Sequence, residues 1–468
     1  MKTKYINRVI SILIVPFLLL SCEDFVEIEA PDNKLVKDVV FSSDETAMSA
    51  MTGIYNHLYQ SEFSGGHFSS VTLLSGLSGN NLKNLSAYFP EWMEFEKHEI
   101  QPGNSNVLYL WSSAYNVIYM ANAMLEGLDA SDKITPDLKK QLEGEASFVR
   151  AFSYFYLVNL YGDVPLILST NYRENQLAPR EPVAEVYLQI LEDLEVAREL
   201  LSTDYREGER TQANNAAATA LLARVQLYLE NWEQAETLST RVIEETSKYE
   251  LLNDPNEVFL ANSKEAIWQI SPIGGGGFMT QTNEGSLFVI DPVYYYSAFF
   301  QLDENVPKVF DKDDRRLENW IGFNEPRNAF FPFKYKIQYS NSFPITEYSM
   351  VLRLAEQYLI RAEARARMGN FAGSIEDLDM IRDRAGLPLL AETDPGISQD
   401  VLLDVIFEER RKELFSEWGH RWFDLKRSGR VDEVLGSNSP NWESADQLYP
   451  IPEEERMKNP NLSQNKGY

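Results

Sequence analysis

Four acidic residues near the end of the chain have types and spacing that could hydrolyse a glycosidic bond, because glycosidases use a pair of carboxyl groups. They are Glu408, Glu409, Glu413 and Asp424. Arginines alternate with these acids, and a carboxylate four residues from an arginine is the usual arrangement of a helical ion pair. A buried charge is tolerated when it is paired and hydrogen-bonded. We therefore expect a lattice of arginine–carboxylate pairs that holds helices together, in preference to a catalytic pair.

Three aspartates in a short acidic run could suggest a calcium site. Asp311, Asp313 and Asp314 lack the distal glutamate of an EF-hand loop, and neighbouring basic residues compete for their charge. We expect a solvated loop or aspartate–arginine pairs there. The four histidines lack the paired spacing of a zinc site. The glycine run 274–277 lacks the residues of a phosphate loop and is interpreted as a flexible linker. We predict no metal and no cofactor.

Cys22 is the only cysteine, and its setting predicts that the thiol carries a lipid. Basic residues at the start of the chain precede an apolar run over residues 9–20, and Ser21 stands directly before the cysteine. This order describes a secretory signal, and the segment from Leu19 resembles a bacterial lipobox. We predict that residues 1–21 are a signal peptide and that Cys22 is the lipidated first residue of the mature chain. A plain signal peptide followed by a free cysteine, or a single anchor helix, are the alternatives.

The composition predicts a packed globular body after the signal. Hydrophobic residues make up 44% of the chain and aromatic residues 12%. The formal net charge of -28 repels nucleic acid and anionic lipid. We therefore expect no nucleic-acid partner, and contact with a membrane only through the lipid anchor.

Apolar periodicity predicts a mainly helical, all-α fold. Apolar residues recur at spacings of three and four through residues 141–160, which indicates one buried helical stripe, and Gly162 ends the pattern. Alanine-rich helix–turn–helix patterns occupy residues 213–247 and about 351–383. These two pairs look like tetratricopeptide-like units that an insertion separates.

Two segments lack helical periodicity and are rich in glycine, proline and aromatic residues. They are residues 61–105 and an insertion over about 250–345. We predict loops, short helices and a few short strands in both. The body, residues 22–468, would then comprise an N-terminal helical part (about 22–250), the insertion, and a C-terminal helical part (about 346–468).

Several sequence blocks together resemble one known family, and their number, order and spacing carry the resemblance. The blocks include Trp111-x-x-x-Tyr115, Glu145-Ala146-x-Phe148-x-Arg150-Ala151-Phe152, Tyr161-Gly162-Asp163-Val164-Pro165, Leu352-Arg353-Leu354-Ala355-Glu356-x-Tyr358, Glu408-Glu409-Arg410-Arg411, Gly419-His420-Arg421-Trp422-Phe423-Asp424-Leu425 and Asn459-Pro460-Asn461-Leu462. On these residues the chain resembles the SusD/RagB family of outer-membrane nutrient-binding lipoproteins of Bacteroidetes.

The resemblance implies a helical scaffold of tetratricopeptide-like pairs with an irregular binding side. It also implies a partner, a TonB-dependent transporter resembling SusC, and a non-catalytic role in capturing an oligosaccharide or polysaccharide for uptake. The location would be the outer membrane, facing the exterior. Glu23 and Asp24 resemble the surface-export signal of such lipoproteins, although two acidic residues are also common in a chain this acidic.

Sugar recognition needs an aromatic plane for the apolar face of the ring and planar polar groups for its hydroxyls, and aromatic side chains supply large contact area at small entropic cost. Both irregular segments contain such residues, in regions comparable to those that bind ligand in the starch-binding member of the family. The predicted ligand-binding residues are Asn80, Asn81, Tyr88, Trp92, Tyr294, Tyr295, Tyr296 and Trp320. Some of these rings could instead pack the insertion onto the scaffold.

Two other functions stay open at this point. One is the same uptake role with a peptide as the cargo. The other is a surface glycoside hydrolase with a helical fold, which would release product from a polysaccharide through one essential Asp or Glu.

Overall fold

The computed structural model describes residues 37–468, except residues 87 and 438. The predicted signal peptide and the predicted lipidation site Cys22 lie outside the described residues. Within them, no helix is both long enough and apolar enough to cross a membrane.

The structure confirms the prediction of a mainly helical fold. The α-helices are α1 Lys37–Val40, α2 Asp44–Gln60, α3 Val71–Ser78, α4 Pro90–Lys97, α5 Ser105–Ala130, α6 Pro136–Tyr161, α7 Tyr172–Asn175, α8 Val183–Leu200, α9 Asn215–Tyr228, α10 Trp232–Ile243, α11 Asn283–Phe288, α12 Arg315–Trp320, α13 Leu354–Arg367, α14 Phe371–Arg384, α15 Leu390–Thr393, α16 Gln399–Glu413, α17 His420–Arg427, α18 Val431–Gly436 and α19 Glu453–Lys458.

The strands are short and lie mostly in the predicted insertion. They are β1 Leu82–Asn84, β2 Ala266–Ile270, β3 Phe300–Leu302, β4 Ile321–Asn324, β5 Ala329–Pro332 and β6 Ser349–Arg353. They form three two-stranded antiparallel sheets, in which β1 pairs with β3, β2 with β6 and β4 with β5.

The long helices form a row in which each packs against the next: α5, α6, α8, α9, α10, α13 and α14. Helix α6 shows why the local sequence folds this way. Pro136 stands at its first position, where a missing N–H costs nothing. Its apolar stripe is buried, and Gly162, with a φ of 71°, ends the helix in a conformation that favours glycine.

Both predicted helix pairs are present, as α9–α10 and α13–α14. The alanines of α9, among them Ala217, Ala220 and Ala223, are completely buried, which lets the neighbouring helices approach closely. The classification of these pairs as tetratricopeptide-like stays a prediction.

The acidic and basic residues of the C-terminal half form the predicted ion-pair lattice. Arg353 donates from Nη1 to Glu265 at 2.9 Å and to Glu413 at 2.5 Å, and from Nε to Glu417 at 2.8 Å. Burial alone would raise the pKa of Glu413, but surrounding guanidinium groups outweigh it and hold that pKa well below its ordinary value. Further buried pairs join Arg224 to Glu356, Arg361 to Asp377, Arg410 to Asp424, and Arg427 to Glu363.

The acidic run around Asp314 and the glycine run 274–277 also have structural roles. Asp314 caps α12 and pairs with Arg316 at 2.9 Å, which confirms an aspartate–arginine pair. In the described chain, no group of three or more His, Cys, Asp or Glu is arranged to hold a metal ion.

The interpretation of residues 274–277 as a flexible linker is wrong at Gly274. A side chain there would come within 2.3 Å of the carbonyl oxygen of Asn56 on α2, so glycine allows close packing.

Candidate functional site

The two irregular segments, which lie far apart in the sequence, meet in the fold. Strand β1 of the first segment pairs with β3 of the insertion, so that Leu82 lies opposite Leu302 and Asn84 opposite Phe300. Because the two strands are antiparallel, the residues after β1 lie next to those before β3, and the N–H of Leu85 donates to the carbonyl oxygen of Phe299 at 2.7 Å. The place where they meet is concave.

A cavity of about 370 Å³ opens at this meeting point, and we call it the junction pocket. This volume falls in the range of small-molecule sites. Its lining comes from both segments: Gly66, His67, Phe68, Asn283, Ser286, Leu287, Val289, Ser297, Ala298, Phe299, Gln338 and Tyr339.

Three aromatic rings line the junction pocket. Phe68 is 40% exposed and Tyr339 66% exposed, so both have surface to offer a ligand, and Phe299 is half-buried. The ring of Phe299 stands edge-on to that of Phe68, with 5.7 Å between the centroids. Aromatic faces of this kind pack well against the apolar face of a flat ligand.

Trp92 fixes the position of Phe68 from behind. The two rings are stacked, with their centroids 5.2 Å apart and their planes 21° apart. The indole N–H of Trp92 donates to the carbonyl oxygen of Phe68 at 3.2 Å. Phe299 and Phe300 close the other sides of the indole. Phe68 therefore has little freedom left to lose when a ligand binds.

Polar groups lie among these rings. Asn283 donates to the carbonyl oxygen of Gly65 at 2.6 Å and accepts from the hydroxyl of Tyr59 at 3.0 Å, so it mainly holds the pocket wall. Gln338 donates its amide to the carbonyl oxygen of Val289 at 2.8 Å. Its own carbonyl oxygen has no hydrogen-bond partner in the described chain and can accept one from a ligand.

The lining of the junction pocket is close to neutral. Burial lowers the pKa of His67, the only titratable side chain of the lining other than Tyr339. None of the described residues that line the pocket is an Asp or a Glu. The site therefore offers apolar faces and hydrogen bonds without a strong charge.

A buried carboxyl group lies directly beneath the pocket. Glu284 is 4% exposed, and one oxygen bonds to the hydroxyl of Ser349 while Oε2 has no partner in the described chain. Burial raises the pKa of Glu284 to about 7. A side chain on Gly66 would come within 2.5 Å of this carboxyl group. Glu284 therefore supports the backbone that leads to Phe68.

Trp320, one of the predicted ligand-binding residues, is completely buried, and that prediction is corrected. Its indole N–H donates to the carbonyl oxygen of Pro255 at 2.9 Å. The ammonium of Lys334 lies 4.8 Å from its ring centroid, and the guanidinium groups of Arg384 and Arg353 lie 5.6 Å and 5.8 Å away. Trp320 is a core residue of the ion-pair lattice and has no surface for a ligand.

Two more of the predicted ligand-binding residues, Trp92 and Asn81, are buried. Trp92 is 8% exposed and supports Phe68 instead of presenting its own face. Asn81 is 3% exposed, and its carbonyl oxygen accepts from the N–H of Asp303 at 2.9 Å. Both stabilise the junction of the two segments.

The remaining predicted residues are accessible but do not line the junction pocket. Tyr88, Tyr294 and Tyr296 are 89%, 60% and 67% exposed. Tyr295 is half-buried and packs against the small cluster around Phe331. Asn80 borders a separate cavity lined by charged residues such as Lys83 and Arg421. A contact of these residues with ligand stays a prediction.

Both irregular segments predicted from the sequence contribute to the junction pocket, whereas none of the eight predicted ligand-binding residues lines it. Phe68 and Tyr339 stand singly and Phe299 belongs to the pair Phe299-Phe300, whereas the prediction favoured the tyrosine triplet and the tryptophans. The available signal was the glycine pair Gly65–Gly66 before His67 and Phe68, which marks a tight approach of the backbone.

The fold is a row of helices with a pocket built from two irregular segments, and comparison with known proteins identifies its family. Residues 24–227 match the sequence profile of a family described as starch-binding and associating with the outer membrane. Residues 315–468 match the profile of the SusD family. The chain belongs to the SusD/RagB family.

Relatives and solved structures agree with this assignment over nearly the whole chain. SusD-like protein P2 of Formosa agariphila is 27% identical, over 98% of this chain and 99% of the relative. A SusD superfamily protein from Bacteroides vulgatus has a TM-score of 0.79 at 20% identity, covering 92% of this chain and 100% of that one. A laminarin-binding SusD-like protein has a TM-score of 0.77 at 24% identity, with the same coverage.

Proposed function

We propose that this protein is a non-catalytic surface lipoprotein that binds an oligosaccharide or polysaccharide in the junction pocket. The bound glycan is then delivered to a partner TonB-dependent transporter resembling SusC for uptake. The observation that carries the proposal is the junction pocket itself, in which three aromatic rings and an unpaired amide oxygen converge at the meeting point of two segments.

The chemistry of this pocket matches that of a neutral sugar. A pyranose ring has an apolar C–H face, which can lie on the ring of Phe68 or Tyr339, and hydroxyl groups, which can donate to Gln338. Because Trp92 already holds Phe68 in place, binding costs little side-chain entropy. The family profile described as starch-binding and the laminarin-binding structural relative support the same class of ligand.

Binding without hydrolysis is part of the proposal. A glycosidase needs two carboxyl groups at the scissile bond, and no Asp or Glu is among the described lining residues of the junction pocket. The carboxylates that suggested catalysis from the sequence are engaged elsewhere. Glu413 is completely buried among arginines, and Asp424 pairs with Arg410 and Arg427.

The membrane location and the partner rest on sequence and family. A lipid on Cys22 would anchor the body to the outer membrane, and Glu23 and Asp24 would direct it to the outer face. A lipoprotein in that position can capture glycan outside the cell beside a transporter that moves it. We expect a large β-barrel protein to co-purify with the native lipoprotein from outer membranes.

The proposal is tested by assaying the purified mature chain against a panel of polysaccharides, including laminarin and starch, and a panel of peptides. Affinity gel electrophoresis should show retention by at least one polysaccharide, and a reducing-end assay of the same mixtures should show no product. Clear binding to peptides alone would replace glycan by peptide as the cargo. Release of reducing ends would establish a hydrolase and overturn the non-catalytic role.

A further inference from the structure

A second concave surface lies on helix α5, and we call it the α5 groove. It is formed by α5, by residues 165–176 with the short helix α7, and by residues 455–462 around the end of α19. It encloses about 490 Å³, which is larger than the junction pocket. Neither the predicted ligand-binding residues nor the residues of the junction pocket contribute to it.

The α5 groove shares no residue with the junction pocket, and α5 contacts the first irregular segment on a side that does not face the groove. On one side, the hydroxyl of Ser113 accepts from the backbone N–H of Phe63 at 3.0 Å, which ties α5 to the first irregular segment. Ser112, Asn116 and Tyr119 line the groove on another side of the same helix. A ligand in the α5 groove would therefore not occupy the junction pocket.

Aromatic rings form the floor and the walls of the α5 groove. Trp111 lies at the floor and is 3% exposed, whereas Tyr119 and Tyr172 are 53% and 73% exposed. The hydroxyl of Tyr115 donates to the carbonyl oxygen of Pro165 at 2.8 Å, so this residue turns its ring to the groove. Tyr119 and Tyr172 stand on two different elements of the groove and can offer ring faces to a flat ligand.

Side-chain amides stand beside these rings. Asn116 is exposed, and its amide has no hydrogen-bond partner in the described chain. Gln176 makes one long bond, 3.4 Å from its amide nitrogen to the carbonyl oxygen of Arg173. An amide carries both a donor and an acceptor, as a hydroxyl does, and can satisfy sugar hydroxyls of either orientation.

The charges at the α5 groove cancel. Glu455 and Lys458, the acid and the base of its lining, form an ion pair at 2.8 Å. The groove therefore offers no net charge to attract an anionic or a cationic ligand. Aromatic faces, amide groups with unused hydrogen-bonding capacity and zero net charge together favour a neutral polyhydroxyl compound as the ligand.

We infer that the α5 groove is a second binding site for a neutral oligosaccharide, independent of the junction pocket. The choice of ligand class rests on the proposed function. Two sites on one protein hold a long glycan more tightly than either alone, because the second contact forms within an already bound chain. A polysaccharide that reaches both sites would gain roughly tenfold or more in apparent affinity.

The test is isothermal titration calorimetry of four forms of the mature protein with neutral hexasaccharides: laminari-, malto-, cello-, manno- and xylohexaose. The forms are the wild type, Tyr119→Ala/Tyr172→Ala, Phe68→Ala/Tyr339→Ala and the combination of both pairs. Tyr109→Ala is the matched control, since Tyr109 is 51% exposed on the same helix and lines neither site. Thermal melts establish that every variant is folded.

For the hexasaccharide that binds, the wild type and Tyr109→Ala should take up two molecules, each paired variant one, and the combined variant none. An unchanged stoichiometry in Tyr119→Ala/Tyr172→Ala would overturn the second site and leave the proposed function standing. Complete loss in that variant, with full binding in Phe68→Ala/Tyr339→Ala, would support the α5 groove and overturn the junction pocket as the site. Absence of binding by the wild type to every sugar would overturn both.

Discussion

The ring of Phe68 lies stacked on the indole of Trp92, and the indole N–H donates to the carbonyl oxygen of Phe68. One residue of this pair is 40% exposed and the other is 8% exposed. The exposed ring can meet a ligand, while the buried ring fixes its position. Phe68 is therefore the residue that can contact a ligand, and Trp92 is the residue that supports it. Substitutions should separate these two roles.

Phe68→Ala is expected to weaken glycan binding about tenfold or more, which is about 1.4 kcal/mol, and to cost less stability than loss of a buried ring, because the Phe68 ring is 40% exposed. Trp92→Ala is expected to weaken binding as well, and in addition to destabilise the protein by about 3–5 kcal/mol. Calorimetric titration and urea unfolding of both variants measure the two effects. Equal loss of stability in both variants would contradict the division of roles.

Trp320→Ala is expected to act on stability and not on binding. The substitution opens a cavity in a fully buried position and removes the hydrogen bond to Pro255, which should cost about 3–5 kcal/mol. Tyr296→Ala is the matched control, since the 67% exposed Tyr296 should change stability by no more than about 0.5 kcal/mol. A stable Trp320→Ala protein that has lost glycan binding would show that this tryptophan does contact ligand.

Glu413→Gln is expected to destabilise the protein by about 3–5 kcal/mol, because it leaves several buried arginines without their shared carboxylate. Since the pKa of Glu413 is lowered, its contribution is present above an ordinary glutamate pKa and is lost as the pH falls below it. Glu408→Gln, at a 46% exposed position, should cost no more than about 1 kcal/mol. Urea unfolding at neutral pH compares the two, and similar costs would argue against the lattice.

Glu284→Gln should change how stability depends on pH. Because burial raises the pKa of Glu284 to about 7, the folded state binds a proton more tightly than the unfolded state between pH 4.5 and 7. The wild type therefore loses stability as the pH rises through this range, by up to about 3 kcal/mol for this group. The neutral glutamine should flatten that slope and stabilise the protein at pH 8. Unfolding curves at pH 5 and pH 8 check this, and parallel losses in both proteins would refute it.

Helices could be predicted from the sequence because their signal is local. The stripe over residues 141–160 lies within α6, Pro136–Tyr161, and both helix pairs fall where the alanine-rich patterns predict them. The ion-pair lattice was also predictable, because the arginines and carboxylates alternate within apolar segments that must be buried.

The lining of the site could not be predicted in the same way, because it depends on contacts between distant parts of the chain. Whether Trp320 is exposed is decided by Pro255 and Lys334, which are not its neighbours in sequence. Phe68 becomes a pocket residue only because β1 pairs with β3 and brings Phe299 to its edge. Local aromatic density therefore indicated the segments that line the junction pocket but not which of their rings do so.

The most direct test of the central claim is a crystal structure of the mature protein soaked with the hexasaccharide that binds most tightly in solution. The account predicts electron density for a sugar ring lying on Phe68 in the junction pocket, with a hydroxyl within hydrogen-bond distance of the amide oxygen of Gln338. Density at other places only, with an empty junction pocket, would contradict the account.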